Sequence, residues 1–408
     1  MLDQTIERVE DTYYKPVDVA TLLQGEHRGL VALLKARRVA DPQVPMLALT
    51  GVRAHDLGLL DESISRAVKR YPTTATRSEL TEAAIVGMLG ALGDPYTTYL
   101  SKREMDALQE ELKGGDFGGI GVFIVQDYKT KEIVVDPIEG NPAIRAGVRS
   151  GDIITSVNGH TTHGLKIDEV ERLIRGEVGT VVALTVRAHA SHRQRTIRVT
   201  RSDVHVPSVK AKVEDGIEYI RLADFGSTSG AEVRAAMQNG RAHHVRGYIL
   251  DLRNNGGGLL DAAVDVSSLV IGSGPIVSTI DRAGHRDVKS ALGHPLGGIA
   301  PLVVLVNAYT ASASEITAGA IQDDHIGTLV GTKTYGKGVV QSLYYISDGS
   351  ALKITTARYV TPLGRDIHHR GIVPDVVIPQ RVDQPIIDTA SDRQLAAAKR
   401  IVLEKAKE

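Results

Sequence analysis

Four apolar runs constrain the fold most: "GIEYIRL" (216–222), "VRGYILDLR" (245–253), "PLVVLVN" (301–307) and "GTLVGT" (327–332). Each is continuous rather than alternating, as expected of a strand buried on both faces. Between them lie "SGAEVRAAMQNG", "GGLLDAAVDVSSLVI" and "SASEITAGAIQD", whose apolar residues recur at helical spacing. Strands that alternate with helices predict an α/β layered core over residues 203–380.

The flanks have other textures. Residues 1–112 read as helical; "ELTEAAIVGMLGAL" (79–92) is the clearest stretch, with Thr76 and Ser78 as candidate caps. "DPYTTYL" (94–100) reads as a turn, and a second amphipathic stretch begins at Ser101. Residues 113–202 hold short β-branched runs and one helix candidate, "KIDEVERLIRG" (166–176). Asn158-Gly159 marks a hairpin, since both residues tolerate positive φ. The pattern predicts a small half-open barrel. The tail, 381–408, ends in one amphipathic helix. The whole is a multidomain α+β chain with four parts.

Composition narrows the function. The chain has 408 residues, net charge −1, 3 Phe and no Trp, which gives no electrostatic or stacking footprint for nucleic acid. No apolar run approaches the roughly 20 residues of a membrane helix. The N-terminal stretch lacks the basic and apolar regions of a signal peptide. With no cysteine, disulfides, thiol catalysis and cysteine-bound metals are excluded.

"GTKTYGKGVVQS" (331–342) fits the first seven positions of the phosphate loop G-x-x-x-x-G-K-S/T, but Gly338 stands where the magnesium-binding hydroxyl belongs. The following "VVQSLYYI" reads as a strand, whereas a phosphate loop opens a helix. Lys337 therefore has another use, or is a solvated lysine in a glycine turn. Upstream, "LVNAYTASASEITAGAIQD" (305–323) runs from a buried strand into a helix whose first turn holds Ser312, Ala313 and Ser314. A helix N-terminus stabilises negative charge, which suits the oxyanion formed when a serine attacks a carbonyl. No G-x-S-x-G elbow surrounds it, and none of the 14 His sits in a motif that nominates it as base. A buried lysine can take that role if desolvation lowers its pKa by roughly 3 units. If 337 and 341 share one strand they share a face, and the Gln341 amide can hold the amine.

Together, "TASASEITAGAIQD" and "GTKTYGKGVVQS", with 25 residues from Ser312 to Lys337, resemble the carboxyl-terminal processing (tail-specific) peptidases. The resemblance continues through "LDLRNNGGGLLDAAVDVSSLVI" (250–271), "LKITTARYVTPLGRDIHHRGIVPDVVI" (352–378) and "GMLGALGDPYTTYL" (87–100). It implies a crotonase/ClpP-like protease core with an inserted PDZ domain. Ser312 becomes the nucleophile, Lys337 the general base and Gln341 the residue that orients it. Ala313 and a glycine of "NNGGG", Gly258 in preference to Gly257, form the oxyanion hole. Ser314 is the rival nucleophile and Lys333 the rival base.

"FGGIGVFI" (117–124), the helix near 167–174 and "NPAIRAGVRSGDIITSVNG" are similar to a PDZ domain. A peptide tail would add as a strand, its carboxylate cradled by Gly118, Gly119, Ile120 and Gly121, with apolar contacts from Ile120 and Val122. Arg175 is similar to an arginine that couples the two modules in some relatives; a plain surface arginine fits the sequence as well. The resemblance implies a serine endopeptidase that binds unstructured protein C-terminal tails and cuts nearby, by a hydrolysis that needs neither metal nor other cofactor. It also implies an extracytoplasmic (periplasmic or secreted) address, and helices at both ends point to a homodimer or higher homo-oligomer. The alternatives are a catalytically inactive PDZ adaptor and a crotonase-like acyl-CoA enzyme.

Overall fold

The structure is a computed structural model that describes residues 1–407 apart from 47, 49, 51, 113–116, 128–129, 139, 189–192, 205, 297–299 and 380–390. The expected divisions at 112/113 and 380/381 border residues outside this set.

The four apolar runs are the centre of a six-stranded sheet. Its order is Val209–Glu214, Ile217–Leu222, Gly247–Asp251, Leu302–Val306, Gly327–Gly331 and Val376–Val377. The first pair is antiparallel and the rest are parallel. Both faces are covered, which is why the runs do not alternate. Ile220, Leu250, Val304 and Leu329 pack with Ala263 and Ala320 of the helices Leu260–Ser268 and Ala313–Asp323. Tyr219, Ile249, Val303 and Val330 face Leu395, Ala398 and Val402 of the C-terminal helix Arg393–Lys405. That helix thus caps the sheet.

A second, five-stranded sheet contains Val339–Tyr345, as read from its β-branched residues, paired with the long strand Ala351–Val360. The opposite side of that strand holds Thr98–Leu100. The stretch read as a plain turn therefore ends in a strand: "TYL" becomes one only because Ala351–Lys353 presents its edge. This pairing stitches the N-terminal helices to the layered core.

Those helices are Leu2–Thr12, Val19–Ala36, Arg53–Arg70 and Arg77–Gly90. Thr76, not Ser78, caps the last of them, in a capping box with Glu79. The second and fourth helices cross backbone to backbone: a Cβ on Gly87 would meet the Gly25 carbonyl at 2.3 Å.

The β-rich module forms a sheet ordered Val122–Gln126, Ile133–Pro137, Asp152–Val157, Val181–Arg187, Gln194–Thr200. Asn158 and Gly159 turn its hairpin at φ 50° and 82°. The helix Ile167–Ile174 leans on the first strand, and Phe117–Gly119 pairs with Ser202–Val204 where the chain enters and leaves.

Candidate active site

Strand Leu302–Val306 delivers the chain to Ser312, which caps the helix Ala313–Asp323 with φ 56° and ψ −119°. Positive φ in a non-glycine residue costs energy and persists only where neighbours enforce it. Here Glu315 enforces it. Its Oε2 accepts the Ser312 N–H at 3.0 Å, and its own N–H returns to the Ser312 carbonyl at 2.8 Å.

The loop after strand Gly247–Asp251 lies against this turn. A Cβ on Gly257 would meet Ser312 Cβ at 2.7 Å and Ala313 N at 2.9 Å, so only glycine permits the approach. The Gly257 N–H is already taken by Asn255 Oδ1 at 2.9 Å. Among the described hydrogen bonds, those of Ala313 and Gly258 are not taken. That leaves two amides available for an oxyanion.

Glu315 also organises the lysine. Its fully buried carboxylate accepts from Thr334 Oγ1 (2.5 Å), Gly336 N–H (2.8 Å) and Lys337 N–H (2.9 Å). Burial raises its pKa, and the four donors oppose that by favouring the ionised form. One carboxylate therefore sets the serine turn and the lysine loop relative to each other. The Tyr359 hydroxyl repeats the link, donating to the carbonyls of Ser312 and Lys337.

Lys337 is half-buried. Burial lowers its pKa, as does the charge of Lys353; Asp94 and Glu315 act the other way. Its Nζ stands over the Tyr96 ring, and none of the described hydrogen bonds joins it to Ser312 Oγ.

Gln341 differs from expectation in one respect. The strand begins at Val339, past Lys337, and its register breaks between Val340 and Gln341. Alternation along one strand therefore does not place 337 and 341 on a common face. The Gln341 amide donates instead to Thr355 Oγ1 at 3.4 Å. The rivals are occupied or exposed: Ser314 is fully buried and donates to the Asn255 carbonyl at 3.0 Å, and Lys333 is exposed.

Comparison with known proteins places this geometry. Residues 216–378 match the model of peptidase family S41, and 133–188 match a PDZ domain model. A carboxyl-terminal-processing protease of Picosynechococcus sp. is 38% identical over 329 residues, 79% of each chain. The chain belongs to peptidase family S41. A chloroplastic C-terminal processing peptidase of Tetradesmus obliquus is 36% identical over 86% of this chain and 80% of its own. Among solved structures, a photosystem II D1 C-terminal processing protease matches 93% of this chain and 92% of its own, with TM-score 0.51 and 31% identity. This S41 chain is thus a serine-type peptidase with a PDZ domain.

Its PDZ groove is a cleft of about 310 Å³ between strand Val122–Gln126 and helix Ile167–Ile174. Ile120, Gly121 and Val122 line one side; Ile167, Ile174 and Arg175 line the other, with Arg175 paired to Glu171 at 2.5 Å. The Gly118 carbonyl accepts the Gly176 N–H at 3.0 Å, tying the candidate carboxylate loop to the helix end. Gly119 is buried beside it. Among the described residues no cluster of His, Asp or Glu has metal-site geometry, and no helix is long and apolar enough to cross a membrane.

The motif reading missed Glu315. The signal was present: Ser312-x-x-Glu315 is a capping-box spacing. Asp251 and Arg253 were missed too. The buried Arg253 guanidinium binds Asp251 (2.6 Å) and Asp392 (2.8 Å), joining the strand before the Gly257 loop to the C-terminal helix cap. Burial works against its charge, and the two aspartates outweigh burial.

Glu315→Gln keeps the volume but sets an NH2 donor among four donors. Turnover is expected to fall about 10²-fold with KM little changed, the effect of a roughly 1 Å misplacement. Steady-state kinetics on a peptide check it, with circular dichroism showing the fold retained.

Proposed function

We propose that the protein is an endopeptidase that captures unstructured protein C-termini in its PDZ groove and cuts nearby with a Ser312–Lys337 dyad. The observation that carries this reading is a strained serine beside two unclaimed amides, held by one buried carboxylate to a half-buried lysine. Neutral Lys337 takes the Oγ proton as Ser312 attacks the carbonyl, Ala313 and Gly258 N–H stabilise the oxyanion, and the ammonium protonates the leaving amine. Gln341, bonded across to Thr355 of the neighbouring strand Ala351–Val360, would steady the lysine from the strand that follows its loop. An extracytoplasmic address and self-association through the terminal helices belong to the same reading.

Mass spectrometry of products from an unfolded casein tests it. Wild type should yield ragged cuts near the C-terminus and Ser312→Ala none; thioester turnover without peptide cleavage would favour an acyl-CoA enzyme instead. Inactivity of both proteins, with tail binding retained, would favour a PDZ adaptor. Amidating the substrate tail removes the carboxylate that the Gly118–Gly121 loop would cradle. Binding is expected to weaken at least ~10-fold, the size of a charge-assisted hydrogen bond. Equal affinity for both tails, by fluorescence anisotropy, would discard carboxylate capture.

A further inference from the structure

Lys337 Nζ lies 5.1 Å from the centroid of the Tyr96 ring, inside the roughly 6 Å over which an aromatic face attracts a cation. The ring arrives from "GDPYTTYL", in a part of the chain that carries no other group of the proposed dyad. Its turn is tightly held. Asp94 accepts the Tyr96 N–H at 3.0 Å and the Thr97 hydroxyl at 2.7 Å, and Thr97 Oγ1 accepts the Thr355 N–H at 3.0 Å. The same Thr355 takes the Gln341 amide. At the far end of the ring the Tyr96 hydroxyl faces Tyr335, two residues before Lys337. Burial and then the neighbouring Tyr335 push the Tyr96 pKa up to about 12, so the ring offers a neutral face and no phenolate charge.

We propose that Tyr96 is a positioning residue for the lysine, its ring face being the berth of the charged ammonium while the dyad is open. The inference rests on Lys337 being the general base. On losing a proton to water, the amine leaves the ring, and its lone pair takes the Ser312 Oγ proton as the Oγ–carbonyl bond forms. The ring favours the charged form. It acts with Asp94 and Glu315 against burial and Lys353; Tyr335 and His368, the latter's ring 6.4 Å from Tyr96, are further titratable neighbours of the ring. Tyr96 therefore helps to set the pH at which activity appears. Weakening its π-face lowers the lysine pKa and moves the acid limb of kcat/KM to lower pH.

Fluorination tests this without changing ring shape, so folding is not at issue. Tyr96→Phe is the reference, and the same position carries 3,4,5-trifluorophenylalanine by nonsense suppression; both lack the hydroxyl that faces Tyr335. The acid limb of the fluorinated enzyme should lie ~0.5–1 pH unit below that of the reference, the scale of a lost cation–π contact. Coincident limbs overturn the role of Tyr96. Lys337→Ala separates this from the underlying reading: if it keeps wild-type activity and pH profile, the dyad itself is wrong. If it is inactive while the limbs coincide, only the berth is lost.

Discussion

The Ser312→Ala protein is expected to cut an unfolded substrate on the order of 10⁶-fold more slowly than wild type, the usual loss when a hydroxyl nucleophile is removed. Among the described residues, the nearest hydroxyls along the chain are already engaged. Ser314 is buried with its hydroxyl on the Asn255 carbonyl, and Thr310 donates its own to the Leu252 carbonyl. The turn itself should survive, because Glu315 holds it through the Ser312 N–H, not the side chain. The Ala313 and Gly258 amides would then still polarise a bound carbonyl, which leaves a residual rate of about 10³–10⁴ over water. Product mass spectrometry measures the ratio. More than about 1% of wild-type turnover would place the nucleophile elsewhere.

Removal of the lysine amine has the second-largest effect. Lys337→Ala is expected to lose about 10²–10⁴ in kcat, the range for a general base. Lys337→Arg sharpens the test, because a guanidinium keeps the charge and cannot give up its proton near neutrality. A purely electrostatic role predicts an active arginine enzyme; a base predicts an inactive one. The pH dependence has a definite sign. Burial lowers the lysine pKa, and the base works only when neutral, so activity rises with pH through that lowered value. The two variants should lose this limb together with their activity.

Local chemistry made part of this legible. Continuous apolar runs announced strands covered on both faces, and the core sheet is built from them. Asn158-Gly159 and Thr76 act through backbone geometry confined to a few residues, so a turn and a cap could be read directly. The peptidase family and the PDZ domain were legible from ordered motifs along nearly the whole chain.

What escaped depends on distant partners. Thr98–Leu100 is too short to declare itself and exists through Ala351–Lys353, some 250 residues later. The crossing at Gly25, Gly29 and Gly87 is written in glycines that look like poor helix residues until two backbones touch. Tyr96 over Lys337 is of the same kind: neither stretch alone points to the other. The Gln341 geometry was inferred from alternation, and a one-residue register shift removes alternation as a guide. Glu315 was readable as a cap, but that one carboxylate also holds Thr334, Gly336 and Lys337 is a fact of three dimensions.

The most direct test is the rate at which a small serine-directed sulfonyl fluoride labels the protein across pH, followed by intact mass and peptide mapping. A single adduct on Ser312, formed faster as pH rises and nearly abolished by Lys337→Ala, is the expected result. An adduct on another residue, or equal labelling of Ser312 with and without the amine, would contradict a hydroxyl activated by that lysine.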